Sequence, residues 1–318
     1  MAKKRFPAPP LPDSRSHDQL MRDLQRILAD QNFASIEEAN AFIGANLLGK
    51  TIPRPKATTP FERAMELVDQ AVDTDNDARR AALARQALDI SPDIAVAWAI
   101  LAAVATSPLE ARDLYIKAVE AGQRAAGDEL STLASEGHLW LSLQGRPLLT
   151  AKLELAFANW GLGDRLLAIE QAWEILSLNR NDNQGVRYVL LGWLLRAGSL
   201  DQIERLIAQY PEESSASWLF DIALHRFRTE GRSPNARSAL RAATRVNPFV
   251  MDYLLGKREP PVEIPALIGW GDESEAVAYV QDSLAAWLDT PETVEWLQAE
   301  ARTGSGRKRK GARGPKDR

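Results

Sequence analysis

Three glycines set the frame of this chain. Gly163, Gly198 and Gly231 lie 35 and 33 residues apart, and each separates two amphipathic helical patterns. A period of about 34 residues, with a glycine turning the chain between two helices, is the spacing of stacked helix–turn–helix repeats. A single repeat of this kind cannot bury its apolar face alone, so the pattern demands an all-α array that grows by stacking. A length of 318 residues suggests about two domains, but an array can accommodate it as one unit. Such arrays present grooves that hold other molecules, which argues for binding rather than catalysis.

The clearest copy runs Phe220, Ala223, Leu224, Phe227, Gly231, Ala236, Leu240, Ala243, Pro248. It follows the tetratricopeptide pattern of large, large, small, aromatic, Gly, Ala, large, Ala, Pro, with Leu224 as the one poor fit. Small residues allow two helices to approach, large ones interlock, and Pro stops the second helix. Ala87 and Pro92 followed by Trp98, Leu101 and Ala102 reproduce a junction between repeats, and Ala111, Tyr115 and Ala118 continue it. Leu155, Ala156, Gly163 and Ala168 give a third copy; Leu190, Gly198, Ile203 and Ile207 give a weaker fourth. The expected fold is an all-α, tetratricopeptide-like helix–turn–helix solenoid with a helical C-terminal cap.

Helix ends fit that frame. Capping boxes are predicted at Ser35 to Glu38, Ser107 to Glu110 and Ser199 to Gln202, and N-cap plus Pro pairs at Ser233-Pro234 and Thr290-Pro291. The predicted organisation is a disordered Pro-rich lead at 1–16, two short helices over 17–50 and a Pro-rich linker at 51–60. The repeat array follows over 61–256, then capping helices over 257–302 and a disordered basic tail at 303–318. The stripe of Ala276, Val277, Val280, Leu284 and Trp287 has helical spacing and is expected to seal the last repeat.

Zero cysteines exclude disulfides, thiolate zinc sites and cysteine nucleophiles. The basic start runs into Pro7-Ala8-Pro9-Pro10 without an apolar stretch, so no secretory signal is expected. The longest apolar run, Ile94 to Ala105, is twelve residues, against roughly twenty for a membrane span. These features predict a soluble, cytoplasmic protein with no membrane partner, no small-molecule substrate and no cofactor.

Part of the chain resembles the suppression-of-tumorigenicity seven family of animal proteins. The resemblance is carried by the segment from Ile94 to Gly122, with AWAILAAVATSPLEARDLYIKAVEAG. NPFVMDYLLG from Asn247 and GDESEAVAYVQDSLAAW from Gly271 carry it further. It spans roughly residues 80–300 with gaps. The membrane-spanning N-terminal portion of the animal proteins has no counterpart here, which makes the chain similar to compact bacterial relatives. The resemblance implies a repeat-type interaction protein and transfers no catalytic residue.

Gly44 to Thr51 satisfies the phosphate-loop pattern GxxxxGK[ST], but its context is wrong. A helical pattern precedes it where a strand is needed, and Ile52-Pro53-Arg54-Pro55 cannot supply the helix whose N-terminus would face the phosphate. The expected role is structural: Gly44 or Gly49 ends a helix and Lys50 lies near its negative end. Asn179 to Gly185 hints at a calcium loop, but Asn179, Gln184 and Leu190 stand where Asp, Gly and Glu are required. His17, His138 and His225 have no second ligand at helical spacing, so no metal site is expected. His138, with Glu136 and Arg146 near it, is the one place an acid–base pair can be drawn, and helix packing or capping is its ordinary role. No catalytic residue is assigned. Trp98, Trp173, Trp193 and Trp218 fall within helices as core residues.

Carried onto the repeat frame, the inner face of the array selects Trp160, Tyr188, Arg196, Trp218, Asp221, His225 and Arg228, with Arg187 adjacent. Arg187, Tyr188, Arg196, Asp221, His225 and Arg228 form a surface suited to an acidic or carboxylate-ended peptide. Residues 304–318 hold seven basic side chains against one acid, a net +6 that leaves the rest of the chain at −10. Arg307, Lys308, Arg309 and Lys310 are therefore either a polyanion-binding arm or a solvated end. Two functions follow. The first is a non-enzymatic adaptor that binds a protein segment in the repeat groove. The second is a nucleic-acid-associated factor that uses the basic tail.

Overall fold

The computed structural model describes residues 16–127, 130–263, 265 and 267–311. Among them the chain is all helical, with one isolated backbone bridge, between His138 and Asn179, and no strand. It divides into two units, one up to Asn183 and one from Gln184.

In the first unit α1 (His17–Ala29) and α2 (Ile36–Asn46) precede three helix pairs: α3 (Pro60–Val72) with α4 (Asp77–Ile90), α5 (Ala95–Ala103) with α6 (Pro108–Ala126), and α8 (Gly145–Leu162) with α9 (Arg165–Leu178). A short α7 (Ser131–Glu136) and a 3-10 turn (Leu139–Leu141) sit between α6 and α8, an insertion that the repeat frame does not anticipate. Successive pairs pack on one another through α4 with α5 and α6 with α8. The contacts are close because the facing residues are small: Ala64, Ala71, Ala84, Ala87 and Ala97 are completely buried. Trp98 turns its Nε1 to the carbonyl of Pro92 at 3.0 Å, fixing the junction expected at that point.

The second unit contains α10 (Val186–Ala197) with α11 (Leu200–Gln209), α12 (Ala216–Glu230) with α13 (Pro234–Val246), the short α14 (Phe249–Leu254), α15 (Glu273–Leu288) and α16 (Thr293–Gly311). The repeat positions of the best copy are its core: Phe220, Ala223, Leu224, Ala236 and Ala243 are fully buried, and Leu240 nearly so. Burial of a side chain such as Phe220 or Leu240 stabilises the fold by about 1.5–3 kcal/mol. Gly163, Gly198 and Gly231 adopt φ of 92°, 70° and 62°, the left-handed backbone that a glycine tolerates where one helix ends and the next must begin. The stripe on α15 also buries Ala276, Val277, Val280 and Trp287 against this core, with Leu284 packed at its edge.

Helix caps follow the sequence at most ends. Ser107 Oγ accepts from the N–H of Glu110 at 3.2 Å and Ser233 Oγ from that of Ala236 at 3.0 Å, each with Pro at the first helical position. Full reciprocal boxes occur at Ser16 with Gln19 and Thr59 with Glu62. At Ser35 and Ser107 the predicted box is half formed, because Glu38 and Glu110 accept instead from the N–H groups of Ala34 and Thr106, and two further predicted caps do not form. Ser199 makes no side-chain cap bond, because the left-handed Gly198 leaves it in a tight turn with the N–H of Leu200 on the Gly198 carbonyl. Thr290 does not open a helix: its hydroxyl donates to the Ala286 carbonyl at 2.7 Å, and α16 begins only at Thr293.

The phosphate-loop pattern is the end of α2. Gly44 lies within the helix, Gly49 turns the chain at φ 71°, and Lys50 Nζ donates to the Ala45 carbonyl at 2.6 Å. α16 continues to Gly311, so Arg307–Lys310 are helical where disorder is predicted; Lys and Arg have good helix propensity once a helix has started. Residues 1–15 and 312–318, which hold the rest of the predicted lead and tail, lie outside the described residues. No described helix is long and apolar enough to cross a membrane.

Two glycines of α8 give opposite expectations. A Cβ at Gly145 would overlap the Leu139 carbonyl oxygen, whereas nothing lies within 4 Å of one at Gly161, which is exposed. Gly145→Ala should destabilise the protein by roughly 1–3 kcal/mol, and Gly161→Ala should stabilise it by roughly 0.5–1 kcal/mol. Denaturant unfolding of the two variants checks this; equal midpoints would show that α8 is not seated against the 3-10 turn as described.

Candidate functional site

Apart from Trp160 of α8, the residues selected by the repeat frame lie on α10 and α12, and the chain itself covers several of them while Arg196 remains exposed. Asp221 and His225 are 4% and 1% exposed. α15 lies against both helices. Tyr279 Oη donates to Asp221 Oδ1 at 2.8 Å, and Trp287 Nε1 donates to Tyr279 Oη at 2.8 Å. Arg196 donates to the carbonyl of Asp282. The Arg228 guanidinium spreads over three acceptors: Leu195 O at 2.6 Å, Ala286 O at 2.8 Å and Thr290 Oγ1 at 2.9 Å. Asp221, Arg196 and Arg228 thus hold α15, with Arg228 satisfying the Ala286 carbonyl near its negative end, where a cation is favoured. Asp221 is closed to an external peptide while α15 is in place, whereas Arg196 stays exposed beside it.

The other three predicted residues belong to different clusters. Arg187 Nε and Tyr188 Oη both bind Glu213 Oε2, at 2.9 and 2.7 Å, and the guanidinium stacks on the rings of Tyr188 and Tyr210 at 4.7 and 5.1 Å. Trp218 meets both of those rings edge-on, with centroids 6.2 Å away. Burial opposes ionisation of Glu213, but hydrogen bonds from Tyr188 and Ser215 and the Arg187 charge outweigh it and hold its pKa at about 2. His225 Nε2 lies 2.8 Å from Glu204 Oε1, a carboxylate also gripped by Arg226 at 2.7 Å. Burial pushes the Asp221 carboxyl up to about 7, despite the Tyr279 hydrogen bond and the Arg196 and Arg228 charges. The same burial raises the Tyr279 hydroxyl well above its ordinary value.

A second groove, in the first unit, is not filled. A cavity of about 610 Å³ lies between α1 and the helix pairs. Its wall is apolar: Met65 and Val72 of α3, Val96 and Ala99 of α5, Trp140, and Pro147 of α8. Phe61 and Val72 line it and are about half exposed, at 48% and 53%. A volume of this size falls in the ordinary range of ligand sites, roughly 300–1,000 Å³. Arg146, which the sequence places near His138, belongs to this groove: it donates to the Trp140 carbonyl at 3.1 Å, lies over that ring at 5.5 Å, and pairs with Asp18 at 2.6 Å. His138 bonds through its backbone, its N–H donating to Leu133 O at 2.7 Å. Trp160 carries the Arg165 guanidinium 5.5 Å above its ring.

The side chains of Arg307, Lys308, Arg309 and Lys310 lie outside the described part of α16. Among the described residues no three His, Cys, Asp or Glu side chains come together to hold a metal. Compared with models of protein families and with curated proteins, the chain matches none.

The first-unit groove escapes the repeat frame because half of its polar rim comes from α1, which is not part of a repeat. The signal in the sequence is the spacing of Asp18, Arg22 and Arg26, one turn apart on one helix face.

The buried Asp221 gives a pH dependence of defined sign. Its pKa is about 7 folded and about 3.8 without the fold, so between these values the folded chain holds a proton that the unfolded chain releases. Stability from this group is full below about pH 4 and is lost as the pH rises towards 7, by at most about 1.4 kcal/mol per pH unit. Asp221→Asn, which keeps a neutral acceptor for Tyr279, should therefore be better tolerated at pH 8 than at pH 5. Denaturant unfolding at the two pH values checks this, and an unchanged difference between Asn and Asp would show that Asp221 is ionised in the fold.

Proposed function

We propose that this protein is a non-enzymatic adaptor that binds a segment of a protein partner in the groove of its first unit. One observation carries the reading: an apolar-walled groove of about 610 Å³ stands half-covered there, while the inner face of α10 and α12 is taken up by α15. Its wall offers Phe61, Val72 and Trp140 as contact area, with carboxylates and guanidinia at the rim. An apolar centre within a polar rim is the usual anatomy of a protein-binding surface. The repeat pattern of α12 and α13 supports assigning the chain to tetratricopeptide-type proteins related to the suppression-of-tumorigenicity seven family, whose expected role is also interaction.

Capture by the full-length chain from its native cell, followed by mass spectrometry, supplies the partner, whose affinity is then measured with purified proteins. Phe61→Ala with Val72→Glu should weaken it tenfold or more, about 1.4 kcal/mol. Both side chains are substantially exposed, so the melting temperature should change little. Leu166→Ala, at a residue 74% exposed and outside the groove, is the control. Equal affinity in all three proteins would remove the groove from the function. Recovery of nucleic acid, with affinity falling steeply with salt, would turn attention to Arg307–Lys310.

A further inference from the structure

The groove of the first unit already has an occupant, α1, and ion pairs hold it there. α1 shows the groove a polar face. Asp18, Arg22 and Arg26 lie four residues apart and reach three points on the opposite wall. Asp18 Oδ1 accepts from Arg146 of α8 at 2.6 Å, Arg22 pairs with Asp69 of α3 at 2.5 Å, and Arg26 pairs with Glu62 of α3 at 2.9 Å. Arg26 also donates to the Lys56 carbonyl at 2.7 Å. The two buried residues of α1, Gln19 and Asp23, are polar, and Leu20, Met21, Leu24, Ile27 and Leu28 are only half-buried.

Besides the charges, the cavity meets Ser16 and the buried Gln19 at the start of α1, and further along it Gln25 and Ala29, one polar and one small. Neither fills the apolar space opposite, which is why about 610 Å³ stays open beneath a helix that is nonetheless docked. α1 thus pairs with Arg146, Asp69 and Glu62 and leaves the apolar space between them open. Ion pairs at partly exposed sites are weak and screened by salt. The Pro-containing segment between α2 and α3 has no helix from Thr51 to Thr58.

We infer that α1 is a built-in stand-in for the partner, and that the partner is an amphipathic helix with an acidic residue followed by basic residues four and eight positions later, and with large apolar side chains where α1 has Gln25 and Ala29. This rests on the groove reading given above and adds the chemistry of the occupant. The acid pairs with Arg146 and the two bases with Asp69 and Glu62, which fixes direction and register along the groove. The apolar residues cover Val72, Val96 and the Trp140 ring, giving such a helix the burial that α1 lacks. Because α1 uses the same three charges, partner and α1 exclude each other. Binding is weakened by the fraction of molecules in which α1 is docked.

A labelled peptide with the sequence of residues 16–30 and the changes Q25L and A29L serves as probe, read by fluorescence anisotropy against the full-length protein. D18A/R22A/R26A in the protein removes the hold on α1 and leaves the wall untouched; its circular dichroism and melting should stay close to wild type. The probe should bind this variant at least tenfold more tightly than wild type. Raising salt to about 1 M, where the Debye length is about 3 Å, should narrow that gap. A second probe with reversed charges, D18R/R22E/R26E, should bind at least tenfold more weakly than the first. Equal affinity for wild type and variant would overturn the role of α1. Equal binding of both probes would overturn the proposed charge code while leaving a groove that binds helices. Failure of the first probe to bind the variant would overturn the inference, and the groove itself would then be judged by the Phe61 and Val72 substitutions alone.

Discussion

Ala64, Ala71, Ala84, Ala87 and Ala97 in the first unit, and Ala216, Ala223, Ala236 and Ala243 in the second, are completely withdrawn from solvent. Their small side chains let helices approach until the larger neighbours interlock, and that close approach sets the geometry of everything else. Helix pairs packed this tightly expose one side of their first helices, and the grooves are built on those sides. A larger side chain at any of these alanines would spread a pair and move the groove residues with it.

The chain meets each of its two exposed inner faces with one of its own helices, by different physics. α15 is held by burial: Ala276, Val277 and Trp287 enter the core, Trp287 lies parallel to Trp296 at 6.4 Å, and Trp296 stacks on Phe227 at 4.4 Å. Hydrogen bonds from Tyr279 and Arg228 then fix its position. α1 is held mainly by charge, with no fully buried apolar residue. Contacts of the first kind persist in salt and cost whole side chains to break; those of the second are weak and screened. One helix of each kind gives one sealed face and one that can open.

Glu62 shows how local and long-range demands meet in one residue. It closes the capping box of α3 by accepting the N–H of Thr59 at 3.0 Å, and that of Thr58 at 2.6 Å. These bonds, set against a small cost of burial and helped by the Thr58 hydroxyl and the Arg26 charge, hold its pKa at about 2. The carboxylate that starts the helix is therefore ionised at any working pH and available to α1. The local box was readable from Thr59-Pro60-Phe61-Glu62, whereas its use by Arg26 was not.

The sequence by itself determined the period of the helix pairs, the glycine turns at 163, 198 and 231, most of the caps, the structural role of Gly44 to Thr51, and the apolar stripe by which α15 seals the second unit. Each is a local signal, fixed by backbone sterics or by side chains within one or two helical turns. It also placed Arg196, Asp221 and Arg228 on an inner face, but the tertiary structure alone decided that α15 lies on it. Likewise only the fold brought Arg22 to Asp69 and Arg146 to Asp18, pairs separated by 47 and 128 residues. A charge fits any opposite charge along the chain, so nothing in its spacing names a partner; the packed alanines decide which pairs come within reach.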